Sequence, residues 1–332
     1  MKQSQAKFVS ARRRNQHARR ALPRILRASH PSISTDCYRI TIVSCENWLG
    51  RNIEASLTLN VQRPTSNIKY RMRILMISAE GPPLQRAGAL IDVMDALPRE
   101  LRKPGNQVSV TLPYYREIRE KSKFKAKRTG IAVDVRVGDK TYVADYFEAR
   151  SAGGVQLFLV RCDDFFDRPG IYGEQGQPYE DNAARFIFFC KAALELARRL
   201  TPALQILHVH DWAAALVPVF VRAHNLPFAT LLTIHHVADQ GSFWGLDFNL
   251  TNLPERFFTL HGVEFFGRLN FLKGGILYAD RITTVSEHYR REISRPSGAG
   301  GHGLDVVLRE NAHRLTAILH GADYTRWNPA SD

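Results

Sequence analysis

The sequence predicts an α/β protein built on a doubly wound, Rossmann-like parallel sheet. Two observations carry this. From Met72 onward, short apolar runs alternate with stretches whose apolar residues recur at helical spacing, the pattern of a parallel sheet covered on both faces. Polar and glycine residues then gather directly after several of the apolar runs, where an open parallel sheet places its ligands.

The elements follow in order. A strand at Arg73–Ser78 leads through a glycine-containing turn to a helix at about Ala89–Arg102, then to a strand at Val108–Leu112 and a basic, looping segment through Lys127. Strand-like runs come next at Ile131–Val137, Tyr142–Ala149 and Val155–Val160. Between Asn182 and Arg199, Ala183, Phe186, Ile187, Cys190, Leu194 and Ala197 recur at helical spacing. Asp181 stands where a cap belongs, and Pro202 lies just past the end. Strands Ile206–Val209 and Ala229–Ile234 flank a helix at about Ala213–His224. A helix near Leu269–Tyr278, a strand at Arg281–Val285, a helix from Ser286 and a strand at Leu315–His320 complete the series.

The 332 residues are 44% hydrophobic and 23% charged, enough apolar material for a sizeable core. The formal net charge of +14 is not spread evenly. Nine basic side chains and no acid lie in residues 1–35, leaving a net +5 for the rest. Residues 1–71 therefore read as a basic leader and 72–332 as the folded domain. The leader has the composition of an organelle transit peptide or a nucleic-acid-binding arm; a disordered tail and an upstream start codon with Met72 as the natural first residue are the plainer readings. The mildly basic body suggests no nucleic-acid partner. Cys37, Cys45, Cys162 and Cys190 show no CxxC spacing, which fits a reducing, cytoplasmic compartment. No uncharged apolar run reaches the roughly 18 to 20 residues that span a bilayer, so no membrane role is expected.

Three strand ends carry candidate chemistry. After the first, Gly81 and Gly88 permit sharp turns and Arg86 offers a forked cation suited to phosphate. After ILHVH come Asp211 and Trp212: a carboxylate that accepts hydroxyl hydrogen bonds, beside an aromatic ring that covers the apolar face of a pyranose. A helix-capping Asp211 and a core-filling Trp212 are the structural alternative. After ATLLTI come His235 and His236, then Gln240 and Gly241. A rival from another class uses the same residues. His208 and His210, two apart on a strand, face the same side and with Asp211, His235 and His236 suggest a divalent-metal hydrolase site.

Taken together, the segments RILMISAEGPPLQRAGALIDVMDALPREL, PYEDNAARFIFFCKAALEL, LHVHDWAAALVP, TIHHVADQGSF, GVEFFGRLNFLKGGILYADRITTVSEHYRREI, GLDVVLREN and ILHGADYTRWNP resemble, in order, the signatures of the glycogen/starch synthase family. The resemblance runs through Met72–Asp332. It implies the N-terminal half of a GT-B glycosyltransferase, in which two Rossmann-like domains face across a cleft. The activity it implies is retaining glucosyl transfer from ADP-glucose or UDP-glucose, as substrate, to an α-1,4-glucan acceptor, with no cofactor and no metal.

By the same resemblance, His235 and Asp211 are the catalytic pair at the transferred sugar, and Arg86 and Gly88 approach the donor. Trp212, Tyr179, Asn182, Arg185, Gln240, Glu264, Asn270 and Lys273 fall in signatures near the cleft. Helix-start packing for Tyr179, Asn182 and Arg185, and a Glu264–Lys273 salt bridge, are the structural alternatives. Several positions depart from the family. Arg86, Ala87 and Ala89 stand for lysine, threonine and glycine, while His236 and Asp239 stand for asparagine and tyrosine. The resemblance also implies that the C-terminal nucleotide-sugar domain is absent. The chain is then expected to be inactive alone, as one part of a split synthase with a separately encoded C-terminal domain, as a remnant, or as a glucan-binding module.

Overall fold

The computed structural model describes residues 71–84, 89–121, 123–296 and 299–321. The chain divides into two units between Asn67 and Ile68, and every described residue belongs to the second. The basic leader lies outside the described residues.

The elements are, in chain order, β1 (Arg73–Ile77), α1 (Ala89–Arg102), β2 (Gln107–Pro113), α2 (Arg116–Glu120), β3 (Lys127–Val137), β4 (Lys140–Arg150) and β5 (Gln156–Arg161). Next come α3 (Asp163–Phe166), β6 (Gly173–Glu174), β7 (Gln177–Pro178), α4 (Asn182–Arg199), β8 (Ile206–His210), α5 (Asp211–Ala214), α6 (Leu216–Ala223) and β9 (Ala229–Ile234). The last group is β10 (Ser242–Trp244), β11 (Glu264–Phe265), β12 (Arg268–Asn270), α7 (Phe271–Tyr278), β13 (Arg281–Thr284), α8 (Glu287–Ile293), α9 (Asp305–Glu310) and β14 (Leu315–Ala317).

Nine strands form one sheet in the order β14-β13-β9-β8-β1-β2-β5-β4-β3. From β14 to β5 every neighbouring pair is parallel. This is the doubly wound arrangement, with β1 at the centre and the chain winding outward to both sides. The central strands are buried on both faces, which is why they read as unbroken apolar runs such as RILMI.

The far edge departs from the all-parallel expectation. β3 and β4 pair antiparallel, as do β4 and β5. Only Gly138 and Asp139 separate β3 from β4, and Gly138 has φ +59°. A link that short makes a hairpin, because a parallel crossover needs a dozen or more residues.

Helix α4 crosses the sheet with Phe186, Ile187, Phe188, Phe189 and Cys190 all fully buried. Asp181 does not cap it. Its carboxylate instead takes a two-pronged pair of hydrogen bonds from Arg168, both 2.6 Å. The helix expected at Ala213–His224 is two pieces, α5 and α6, the first starting at Asp211 itself. The segment read as a loop before Lys127 contains the short helix α2. Cys162 and Cys190 are buried free thiols, and among the described residues no helix is long and apolar enough to cross a membrane.

Candidate active site

The carboxyl ends of β1, β8 and β9 lie side by side at the middle of the sheet, so the residues that follow these strands meet at one rim. Asp211 leaves β8 with φ +53°, a left-handed conformation that aspartate tolerates better than most residues. That turn sends its carboxylate across to β9, where Oδ1 accepts from the backbone N–H of His235 at 2.7 Å and of His236 at 3.3 Å. Asp211 therefore ties two strand ends together and does not cap its own helix. Burial pushes its carboxyl up to about 7, against the opposing effect of the two N–H donors.

His235 is held from the other side. Its Nε2 lies 2.9 Å from Nδ1 of His210, and the two rings stack with centroids 5.3 Å apart. Nε2 of His210 is buried without a hydrogen-bond partner. A buried orphan N–H is rarer and costlier than an unpaired lone pair, so the His210 proton belongs on Nδ1, donating to His235 Nε2. His235 then carries its own proton on Nδ1. Burial, followed by the nearby imidazoles of His320 and His208, pushes His235 down to about 3, and it is a neutral ring at physiological pH.

The cleft beside this pair has a volume of about 630 Å³ and is lined by Glu80, Tyr172, Asp211, Trp212, Asp239 and Gln240 among others. Trp212 stands at both of the places the sequence allowed, the cleft wall and the core. It lines the cleft and also packs among Tyr172, Phe186, Phe243 and Phe271, with centroids 4.8–6.1 Å away. Gly241 lies against its indole: a Cβ there would come within 2.4 Å of the ring, which is why glycine follows Gln240. Gln240 is aimed by its neighbours. Asn270 donates to its Oε1 at 2.7 Å, and its Nε2 donates to the carbonyl of His302 at 2.9 Å.

The other predicted positions separate into cleft and scaffold. Asn182 lines the cleft while bonding the Tyr172 carbonyl and accepting from Arg185. Arg185 does not reach the cleft. It is fully buried, bonding the carbonyls of Phe165 and Ile171 with its guanidinium over Tyr179 at 4.8 Å. Tyr179 is packing for that cation and for Arg168. Asn270 is buried, and its Oδ1 caps α7 at the N–H of Lys273. Lys273 is buried too, donating to the carbonyls of Leu260 and Glu264. The Glu264 carboxylate accepts instead from the N–H of Gly267, so the alternative of a salt bridge to Lys273 is not formed, and none of Glu264, Asn270 and Lys273 lines the cleft. Arg86 and Gly88 lie outside the described residues.

His208 and His210 do share a face, with ring centroids 4.2 Å apart, but His208 is spent on Thr233 at 2.7 Å and His210 on His235. Among the described residues no group of three His, Cys, Asp or Glu side chains is arranged to hold a metal ion.

Glu80 and Tyr172, which are among the cleft residues that the sequence reading did not single out, are bonded to each other. Tyr172 donates to Glu80 Oε1 at 2.8 Å, and burial raises the Glu80 carboxyl. Glu80 was within reach of the strand-end rule, since it stands three residues past β1. Tyr172 sits 92 residues away in sequence, and no local signal marks it.

A solved structure shares this fold: the catalytic domain of starch synthase IV from Arabidopsis thaliana, in a complex with ADP and acarbose, superposes with a TM-score of 0.70 at 26% identity, over 79% of this chain and 54% of that one. The class so defined is a GT-B glycosyltransferase, of which these residues form the N-terminal, Rossmann-like half. Residues 73–310 match the family model described as the starch synthase catalytic domain, and the chain belongs to that family. It is 38% identical over 267 residues to glycogen synthase 2 of Geobacter sulfurreducens, and 37% identical over 267 residues to glycogen synthase of Opitutus terrae. Each match covers 79% of this chain but 54–55% of the relative, so the chain spans about half the length of the relatives it matches.

Proposed function

We propose that this lobe holds the α-1,4-glucan acceptor in a retaining glucosyl transfer from ADP-glucose or UDP-glucose. The observation that supports it is the cleft lined by Asp211, Trp212, Glu80, Asp239 and Gln240, with Asp211 tied to the backbone of His235 and His236, whose rings stand just outside that lining. An aromatic face with flanking carboxylates and an amide is the equipment a neutral polyhydroxyl chain requires. Glu80, Asp239 and Gln240 accept or exchange hydrogen bonds with hydroxyls, and none needs a charged ligand.

The neutral state of His235 suits the chemistry. A retaining transfer builds positive charge at the anomeric carbon, and an imidazolium beside it would oppose that charge. A ring uncharged down to about pH 3 offers a hydroxyl its Nδ1–H without that cost. Asp211, balanced near neutrality, supplies partial negative charge nearby. The reaction also needs the donor enclosed with the acceptor and shielded from water, a task for a second lobe. We therefore expect the lobe described here to transfer glucose only together with a C-terminal nucleotide-sugar lobe. The buried free thiols suit a cytoplasmic setting.

Incorporation of labelled glucose from ADP-glucose and UDP-glucose into glycogen, with and without an added nucleotide-sugar lobe, tests this. Transfer only with the added lobe is the expected outcome, and turnover by the chain alone contradicts it. The glucan-binding-module alternative is favoured by one observation: His236 pairs at 3.0 Å with Asp239 of the cleft lining, at two positions that by the resemblance depart from the family. Glucan retention without transfer under either condition would select it.

A further inference from the structure

The backbone that leaves β9 soon runs out of sheet to bond to. Ile234 is the last residue of β9 paired with β13, so the N–H groups beyond it need other partners. Those of His235 and His236 go to Asp211. The next belongs to Val237, which is 1% exposed, and a buried N–H left without an acceptor is costly. It donates at 2.9 Å to the hydroxyl of Tyr289, 52 residues further along the chain on α8. Three consecutive amides are thus fixed by two side chains, Asp211 following β8 and Tyr289 following β13, the neighbours of β9 on either side.

Ala238, Asp239, Gln240 and Gly241 come directly after, and all four line the cleft. The far end of this run is held by α7, whose first two N–H groups, of Phe271 and Leu272, donate to the carbonyls of Gly241 and Gln240 at 3.1 and 3.0 Å. The near end hangs on Val237. Tyr289 is itself fixed there: Ser286 caps α8 by accepting from the Tyr289 N–H at 3.0 Å, and the ring packs against the core. Burial raises the phenol above its usual range, against the Val237 N–H, and the carboxyls of Asp211, Glu292 and Asp239 raise it further. The group therefore stays a neutral hydroxyl whose oxygen accepts from Val237.

We propose that Tyr289 is a positioning residue of the cleft: through the Val237 N–H it sets the course of residues 238–241, and so the places from which Asp239 and Gln240 meet a ligand. Tyr289 does not itself line the cleft and acts at one remove. The inference rests on the cleft being an acceptor-glucan site, and it adds a residue from α8 that no strand-end pattern marks.

Tyr289→Phe in the full chain tests it, because phenylalanine keeps the packing and loses only the hydroxyl. Ile293→Val is the control: Ile293 is a fully buried α8 residue, and its shortening loosens the helix while leaving the Tyr289 hydroxyl in place. The readouts are amide shifts in nitrogen-15 spectra of the chain without ligand, and calorimetric titration with maltoheptaose. In Y289F the Val237 amide proton is expected to move upfield, the amides of Asp239 and Gln240 to move with it, and the affinity to fall about fivefold. I293V is expected to keep all of these at the parent values while lowering the melting temperature at least as far. A shift at Val237 alone, or parent affinity in Y289F, overturns the inference and leaves the cleft reading in place. So does an equal loss of affinity in I293V, which reduces Tyr289 to general support of the fold. A parent chain that binds no maltoheptaose removes the cleft reading, and the amide shifts of Asp239 and Gln240 then decide the role of Tyr289 by themselves.

Discussion

Among single residues, the protonation states at the rim decide what the site can do. His208, His210 and His235 all lie below the usual imidazole range because burial disfavours the charged ring, with His208 at about 4 and His235 at about 3. In the unfolded chain these rings take up protons below about pH 6.5, so the fold loses stability as pH falls through that value. Asp211 works in the opposite direction. Its carboxyl stays protonated to about 7 when folded but ionises near 3.9 when unfolded, so its burial costs stability as pH rises through that interval. Asp211→Asn keeps the acceptor oxygen and removes the charge. It is expected to raise the melting temperature by about 3 °C or more at pH 8 and to leave it unchanged at pH 4, as read by calorimetric scans. Nitrogen-15 shifts of His235 are expected to show a neutral ring protonated on Nδ1 and no titration from pH 8 to pH 5. A change in His210→Phe, with recovery in His210→Asn, assigns that tautomer to the hydrogen bond from His210. The sequence announced His235 and Asp211 by their place after apolar runs, but not that each holds the other, because the link is a backbone hydrogen bond between strands 24 residues apart.

At the scale of elements, what could be read from sequence was whatever has a period. The helix Ala89–Arg102 and the long helix Asn182–Arg199 have the bounds their spacing predicts, and the central strands fall within a residue or two of the apolar runs. Pairing direction was legible only in the connectors. The two-residue link at Gly138–Asp139 demands the hairpin that turns the sheet's edge antiparallel, and an argument from alternation alone passes over it. Helix α4 shows why motif residues need not touch substrate. Arg185 is a cation in the core whose bonds to the carbonyls of Phe165 and Ile171 tie α4 to α3 itself and to the chain between α3 and β6. Arg185→Met is expected to destabilise the fold by about 3 kcal/mol or more, since those carbonyls lose a charged donor. Urea denaturation measures this, and a change below about 1 kcal/mol would show that the cation is dispensable.

For the whole molecule, the described residues make the N-terminal, Rossmann-like half of a GT-B fold. The sheet brings β1, β8 and β9 to a common rim, and β10, paired antiparallel with β12, adds Ser242 and Phe243 to the lining of the cleft there. A glucan lying along such a wall needs no charge neutralisation, so its binding should be insensitive to salt, unlike that of an anionic polymer to a chain of net charge +14. The most direct test is the affinity of the isolated chain for maltoheptaose, measured by calorimetry at 50 mM and 500 mM salt. Saturable binding with one dissociation constant at both salt concentrations, weakened at least tenfold by Glu80→Gln, is expected; no saturable binding, or binding that E80Q leaves untouched, would rule out a glucan site in this cleft.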